Sequence, residues 1–181
     1  RQQTALGMMT HDVVDMLRHV GRFAQKTVRI CEGPDVLVMA NPQEMKQVVL
    51  NLLVNALDSI DEDGEVVLKL SRDGDEARLV FTDNGCGMNE EVLQNLFEPF
   101  FTSRASKKGT GLGLSIVHRI ISDHDGRIEV KSEGPGCGAT LSVILPVSSK
   151  SCQSLGTREE LVAVVNSELN SREENRDHYA A

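Results

Sequence analysis

The run GTGLGL at residues 109–114 constrains this chain more than any other stretch, because it comes fourth in an ordered series. NLLVNALD (51–58), DNGCGM (83–88) and LFEPFFTS (96–103) precede it, and GCGAT (136–140) follows. One Gly-rich loop is a weak signal, since ordinary turns use glycine for its conformational freedom. Five blocks in this order imply walls, a hinged flap and a floor around a single ligand.

Composition sets the outer bounds. A chain of 181 residues suffices for one well-buried domain with modest extensions. Its 40% hydrophobic and 25% charged content reads as a soluble globular protein. A net charge of −8 argues against nucleic acid as a partner, which usually needs a basic footprint. It leaves a phosphate ligand open, because local cations or Mg²⁺ can neutralise one. Cys31, Cys86, Cys137 and Cys152 form no CxxC pair and no metal-ligand spacing, so they read as reduced thiols of a cytoplasmic protein. No apolar run approaches the ~18 residues of a membrane span, which predicts no direct membrane contact from this segment. The chain opens on Arg1 and reads as a piece of a longer polypeptide, either soluble or anchored in the inner membrane.

Periodicity predicts a helix over 11–24, from Val13, Val14, Leu17, Val20 and Phe23. Strands follow at 28–31 and 36–39 around a Gly33-Pro34 turn. Asn41-Pro42 is a helix start, a capping residue with Pro at the first helical position, and that helix runs to about Ile60. Strands at 65–70 and 77–81 flank the Asp73-Gly74-Asp75 turn. A short helix at 89–96, a helix at 112–124 and strands near 127–133 and 139–146 complete the set. The expected fold is α+β, with three main helices on one face of a mixed, mostly antiparallel sheet. Residues 1–11 read as the end of an upstream linker and 12–147 as the domain. Residues 148–181 read as a linker and an amphipathic tail helix, from the Thr157/Glu160 capping box and the Leu161, Val165, Leu169 stripe.

The blocks carry chemistry. Asn51, Asn55 and Asp58 share one helix face. Their amides either cap nearby backbone and face water, or complete the shell of Mg²⁺, an ion held by one or two protein oxygens plus phosphates. Asp83-Asn84-Gly85 is an ordinary turn after a strand, or a carboxylate placed to accept from an adenine amino group, with Gly85 and Gly87 letting backbone come close. Phe97, Phe100 and Phe101 either pack the core or anchor a hinge for the basic stretch Arg104, Lys107, Lys108. Glycines at the start of the next helix expose backbone N–H groups where the helix dipole favours an anion. GxGxxG fails at Leu114, no Gly-Lys P-loop pair exists, and neither HRD nor DFG occurs.

In order and content these blocks resemble the catalytic, ATP-binding domain of bacterial two-component sensor histidine kinases, in the gyrase, chaperone, histidine-kinase and mismatch-repair ATPase superfamily. The likeness spans about residues 12–146. The segment GLSIVHRIISDHDGRIEV (113–130) is similar to the nitrogen-regulation sensor subgroup. The resemblance implies a Bergerat-type α/β sandwich that binds ATP and Mg²⁺. It implies Asp83 at the adenine amino group with Gly85, Gly87 and Thr140, and Asn55 as the Mg²⁺ ligand with Asn51 beside it at the phosphates. Gly109, Thr110, Gly111, Leu112, Gly113 and Leu114 are implied at the phosphates, and Asp58, Phe101, Thr102, Arg104 and Lys108 along the rim and flap. The implied reaction moves the ATP γ-phosphoryl to a His on a dimerisation and phosphoacceptor domain of the same parent, then to a response-regulator receiver Asp.

Two departures matter. Asp58 stands where many relatives carry a basic residue or His. No histidine here has the acceptor motif: His11-Asp12 starts it, but no basic residue and Pro follow. All five histidines therefore read as structural or surface groups. Two alternatives accompany this reading, a nucleotide-binding regulatory module and an ATP hydrolase of the same superfamily. A hydrolase carries a water-activating Glu where this chain has Asn51, and an amide is no general base.

Overall fold

The computed structural model describes residues 1–23, 25–31, 33–101 and 110–148. The flap residues Thr102, Arg104, Lys107, Lys108 and Gly109 and the tail helix lie outside the described residues.

The chain begins with β1 (Gln2–Ala5), α1 (Leu6–Arg18), a 3-10 turn, β2 (Thr27–Cys31), β3 (Leu37–Ala40) and α2 (Pro42–Ser59). It continues through β4 (Glu65–Asp73), β5 (Glu76–Asp83), α3 (Glu90–Asn95), α4 (Gly113–Asp123), β6 (Arg127–Lys131) and β7 (Ala139–Pro146). The main sheet has the order β2-β4-β5-β7-β6, parallel at β2/β4 and antiparallel elsewhere. A second, two-stranded sheet pairs β1 with β3. α2 packs over β4 and β5, α4 over β6 and against α2, and α1 against α2.

The alternation of β5 decides which face is covered. Ala77, Leu79, Phe81 and Asp83 are buried, whereas Thr82 between the last two is exposed. The buried positions meet the apolar stripe of α2, including Val49, Leu52, Leu53 and Ala56. The opposite face of the sheet is charged: Arg127 donates to both oxygens of Glu76, at 2.5 and 2.9 Å. That contact holds the Glu76 carboxyl below its ordinary value. Its small contribution is present above the ordinary carboxylate range and is lost as pH falls through the lowered value.

The expectations for residues 1–11 and for the helix over 11–24 are corrected at the N-terminal end. Residues 1–11, read as the tail of a linker, instead form β1 and the first turns of α1 within the same compact unit. α1 begins at Leu6 rather than residue 11 because Asp35 caps it from a distance, accepting from Gly7 N–H at 2.6 Å and Met8 N–H at 3.0 Å. Leu6 and Met9 extend the buried stripe of Val13, Val14 and Leu17. The helix stops at Arg18, which leaves Val20 partly exposed while Phe23 is buried from the 3-10 turn. The strands flanking Gly33-Pro34 do not pair with each other; β2 joins the main sheet and β3 the small one.

Asn41 caps α2 as its sequence predicts, its side chain accepting from Gln43 N–H. His124, buried at the end of α4, completes this junction. Its Nε2 accepts from Asn41 N–H at 3.0 Å and its Nδ1 donates to the Ile120 carbonyl at 2.8 Å, which fixes the neutral tautomer. The start of α2 and the end of α4 are thereby locked together.

Candidate functional site

α2 is the wall from which the site is built. Asn51, Asn55 and Ser59 fall at successive i+4 positions along it, so the ends of this row lie about 12 Å apart. One end touches the start of α4 and the other touches the loop after β5.

At the first end, Asn51 Nδ2 donates to the Gly113 carbonyl at 3.4 Å. A Cβ on Gly113 would meet Asn51 Cγ at 3.9 Å, so the two lie in van der Waals reach. α4 begins here without a side-chain cap. Its first N–H groups thus carry uncompensated positive potential at a helix start, the arrangement that binds anions. Leu112 and Leu114 are half-buried beside it and Thr110 is exposed. Gly111 has φ +67, and a Cβ on it would stand 2.5 Å from the Phe100 carbonyl carbon. Phe100 N–H donates to the Gly111 carbonyl at 2.9 Å, so the aromatic block and the glycine run are pinned together at the foot of the flap. Phe101 is half-buried there, Phe100 is 74% exposed with φ +68, and Phe97 stacks on His118 of α4 at 5.1 Å.

At the second end, Asp83 closes β5 and is buried, 6% exposed. Its Oδ1 accepts from Gly85 N–H at 2.9 Å, leaving Oδ2 without a described donor. Gly85 cannot be larger, because a Cβ would lie 2.4 Å from the Ser59 carbonyl oxygen at the end of α2. Cys86 N–H donates to that same carbonyl at 3.0 Å. Gly138, opening β7, sits directly on the Asp83 carbonyl.

One expected residue does not reach this end. Register pairs Asp83 with Ala139 and Thr82 with Thr140. Cross-strand partners share a face, so the Thr140 hydroxyl stands on the face opposite the Asp83 carboxyl and meets Thr82 Oγ1 at 3.2 Å. Thr140 is corrected accordingly, and Ala139 takes the position beside Asp83. Asp58 is exposed at the edge of the wall, in the turn after Asn55. The Asn55 side chain is half-buried and has no described partner.

Two residues outside every block organise the site. Ser132 Oγ accepts from Met88 N–H at 3.0 Å and is bound to the Gly138 carbonyl at 2.7 Å, joining the first and third glycine loops. Lys26 Nζ donates to the Leu57 and Ile60 carbonyls at 2.6 and 2.9 Å, capping the negative end of α2. Neither lies in a recognisable motif; a Lys before a strand and a Ser in a polar loop carry no signal of their own. Lys26→Met is expected to cost about 1–2 kcal/mol, read as a thermal midpoint lowered by roughly 2–8 °C. An unchanged midpoint would show the cap to be energetically idle.

Four of the five histidines are described, and His178 lies outside the described residues. His11 is exposed on α1, His19 bonds the Asp15 carbonyl, His118 stacks on Phe97 and His124 is buried. Among the described residues no helix is long and apolar enough to cross a membrane.

Residues 40–149 match the family described as "Histidine kinase-, DNA gyrase B-, and HSP90-like ATPase". The signal transduction histidine-protein kinase AtoS of Escherichia coli K12 is 40% identical over 157 residues, covering 85% of this chain and 25% of AtoS. Sporulation kinase E of Bacillus subtilis is 33% identical, covering 75% of this chain and 18% of that kinase. The chain thus spans a quarter or less of the length of these relatives. Among solved structures, the mycobacterial sensor histidine kinase MprB superposes with a TM-score of 0.74 at 26% identity, covering 81% of this chain and 98% of that one. Full-length ShkA in complex with AMPPNP gives 0.66 at 25% identity, covering 81% of this chain and 31% of ShkA.

Proposed function

The chain belongs to the histidine kinase-, DNA gyrase B- and HSP90-like ATPase family, and from that premise we propose that it is the ATP-binding catalytic domain of a cytoplasmic histidine kinase segment. The observation that carries this reading is the row Asn51–Asn55–Ser59. It runs from an uncapped helix start, suited to phosphates, to the loop that holds the buried Asp83, suited to a base amino group. An extended nucleoside triphosphate has that length and that order of chemistry.

Asp83 accepts from the adenine amino group through Oδ2, while Gly85 N–H keeps Oδ1 in place. The N–H groups at the start of α4 bind the phosphates, with Asn51 against Gly113 setting the approach of α2 to α4. Asn55 fits a Mg²⁺ ligand: its amide lacks a described partner and lies between the two ends. Among the described residues no trio of His, Cys, Asp or Glu could hold a metal alone. That donor set matches an ion bound through one protein oxygen and phosphates. Mg²⁺ in that place supplies charge neutralisation on the phosphates. Asn55→Ala is expected to remove most of the Mg²⁺ dependence of ATP binding, measured by calorimetry with and without the ion. Retained dependence would move the ligand role elsewhere.

Transfer to a protein acceptor is favoured over hydrolysis, because Asn51 is engaged as a donor and an amide cannot activate water. The γ-phosphoryl goes to a His on the dimerisation and phosphoacceptor domain of the parent, and from there to a response-regulator receiver Asp. The experiment is to mix this chain, ATP and Mg²⁺ with a separately produced acceptor domain from a relative such as AtoS. Phospho-histidine on the added domain is expected, with slow phosphate release from the chain alone. Rapid release without an acceptor would favour the hydrolase, and ATP binding without labelling would favour a regulatory module.

A further inference from the structure

We propose that Ser132 is a positioning residue for the base half of the nucleotide site, its hydroxyl holding the two glycine loops around Asp83 in one arrangement. This role rests on the nucleotide reading above and extends it to a residue that itself touches no ligand. Ser132 follows directly on β6 and is half-buried. The loop after β5 and the loop before β7 are tied in three places. Gly136 N–H donates to the Cys86 carbonyl at 2.7 Å, and Gly138 N–H donates to the Gly85 carbonyl at 3.1 Å. The third tie runs through Ser132 Oγ, which accepts from Met88 N–H at 3.0 Å and donates to the Gly138 carbonyl at 2.7 Å. A hydroxyl has one hydrogen to give. The Gly134 carbonyl lies farther away, at 3.4 Å, so that hydrogen goes to Gly138. The first two ties are backbone to backbone and carry no side chain. The third can be removed by substitution.

These contacts close a circuit that begins and ends at Asp83. Its Oδ1 accepts from Gly85 N–H at 2.9 Å, and Cys86 N–H donates to the Ser59 carbonyl at 3.0 Å, which fixes the near end of the first loop. The far end is Met88, packed against the core and preceded by Gly87 at φ +64. Ser132 fixes the Met88 backbone and passes the constraint to Gly138. Gly138 in turn lies so close to the Asp83 backbone that an added Cβ would stand 2.1 Å from the Asp83 carbonyl oxygen.

Without the hydroxyl, Met88 N–H and the Gly138 carbonyl lose the partner they share, and both loops loosen beside the buried carboxylate. A base that meets Asp83 Oδ2 must then order them as it binds, and affinity falls by that ordering cost. The phosphate end shares none of these contacts, since Asn51 meets Gly113 at the other end of the row on α2. The loss therefore falls on the base half of the ligand.

The test is to titrate ATP and adenosine into the whole chain and into its Ser132→Ala and Ser132→Thr variants, at a temperature where all three are folded. Exchange of the Met88 amide is followed by NMR in parallel. Ser132→Ala is expected to bind both ligands about three- to tenfold more weakly, by the same factor for each. Its Met88 amide should exchange faster than the parent's. Ser132→Thr keeps the hydroxyl and should recover both affinities and the slow exchange. A loss for ATP that adenosine does not share would move Ser132 to the phosphate end and overturn the role. Unchanged affinity for both ligands in Ser132→Ala overturns it too, and so does an equal loss in Ser132→Thr. A parent that binds neither ligand sinks the nucleotide reading, and this role falls with it.

Discussion

Asp83→Asn is expected to weaken ATP binding by about 30- to 140-fold while the fold persists. The buried carboxylate has one oxygen committed to Gly85 N–H and one left without a described donor. An amide placed there keeps its carbonyl oxygen on Gly85 N–H, because a donor facing that N–H would be unsatisfied. Its NH₂ group then points where the adenine amino group arrives, donor against donor. Losing a charge-assisted bond in a buried site costs about 2–3 kcal/mol, and every 1.4 kcal/mol is about tenfold in affinity. The same swap removes the repulsion that a carboxylate presents to the guanine carbonyl, so preference for ATP over GTP should shrink as well. Calorimetry with both nucleotides reads this directly. Affinity within a few-fold of the parent, with selectivity unchanged, would place the base elsewhere.

The wall and the two glycine ends were legible because local rules decide them. Asn41-Pro42 starts α2 by capping chemistry, and α2 then carries its polar row by periodicity alone. The strand alternation ending at Asp83 shows in the residues Leu79, Phe81 and Asp83 themselves. What failed was long-range. The helix start at Leu6 depends on a carboxylate 28 positions after Gly7, and a cap supplied from another loop leaves no mark in the helix's own sequence. The placement of β2 and β3 in separate sheets likewise depends on partners far along the chain. Thr140 is instructive because its signal was present. Leu141 and Val143 face the core, so period-two alternation puts residue 139, and not 140, on the face that Asp83 shares. The alternation of β7, and not membership of GCGAT, decides which residue stands beside Asp83. Ser132 and Lys26 stayed invisible because each acts through backbone atoms of other elements, which sequence does not place.

Gly138→Ala separates the architecture of the base end from its ligand, and its expected effect on stability is the largest of any substitution considered. Gly138 has φ +68, a conformation that costs an L side chain about 1–2 kcal/mol. Gly136, two positions earlier, has φ +80 but nothing within 4 Å of the added carbon, so Gly136→Ala meets that strain alone. At Gly138 the added carbon would stand 2.1 Å from the Asp83 carbonyl oxygen, 3.0 Å from its carbon and 3.1 Å from Asn84 Cα. All three are backbone atoms of the neighbouring strand end, which no rotamer change can move aside. Relief requires β7 to separate from β5 where Asp83 pairs with Ala139, and this also strains the Ser132 bond to the Gly138 carbonyl. A total loss above about 3 kcal/mol follows, which for a chain of this size lowers the thermal midpoint by roughly 6–12 °C. Gly136→Ala should lower it by roughly one to two thirds of that. Because the displaced carbonyl is Asp83's own, ATP affinity should fall in Gly138→Ala at temperatures where the protein is still folded, and hold in Gly136→Ala. Equal midpoints for the two variants would mean that the close approach of β7 to the Asp83 backbone does not shape the base end at all.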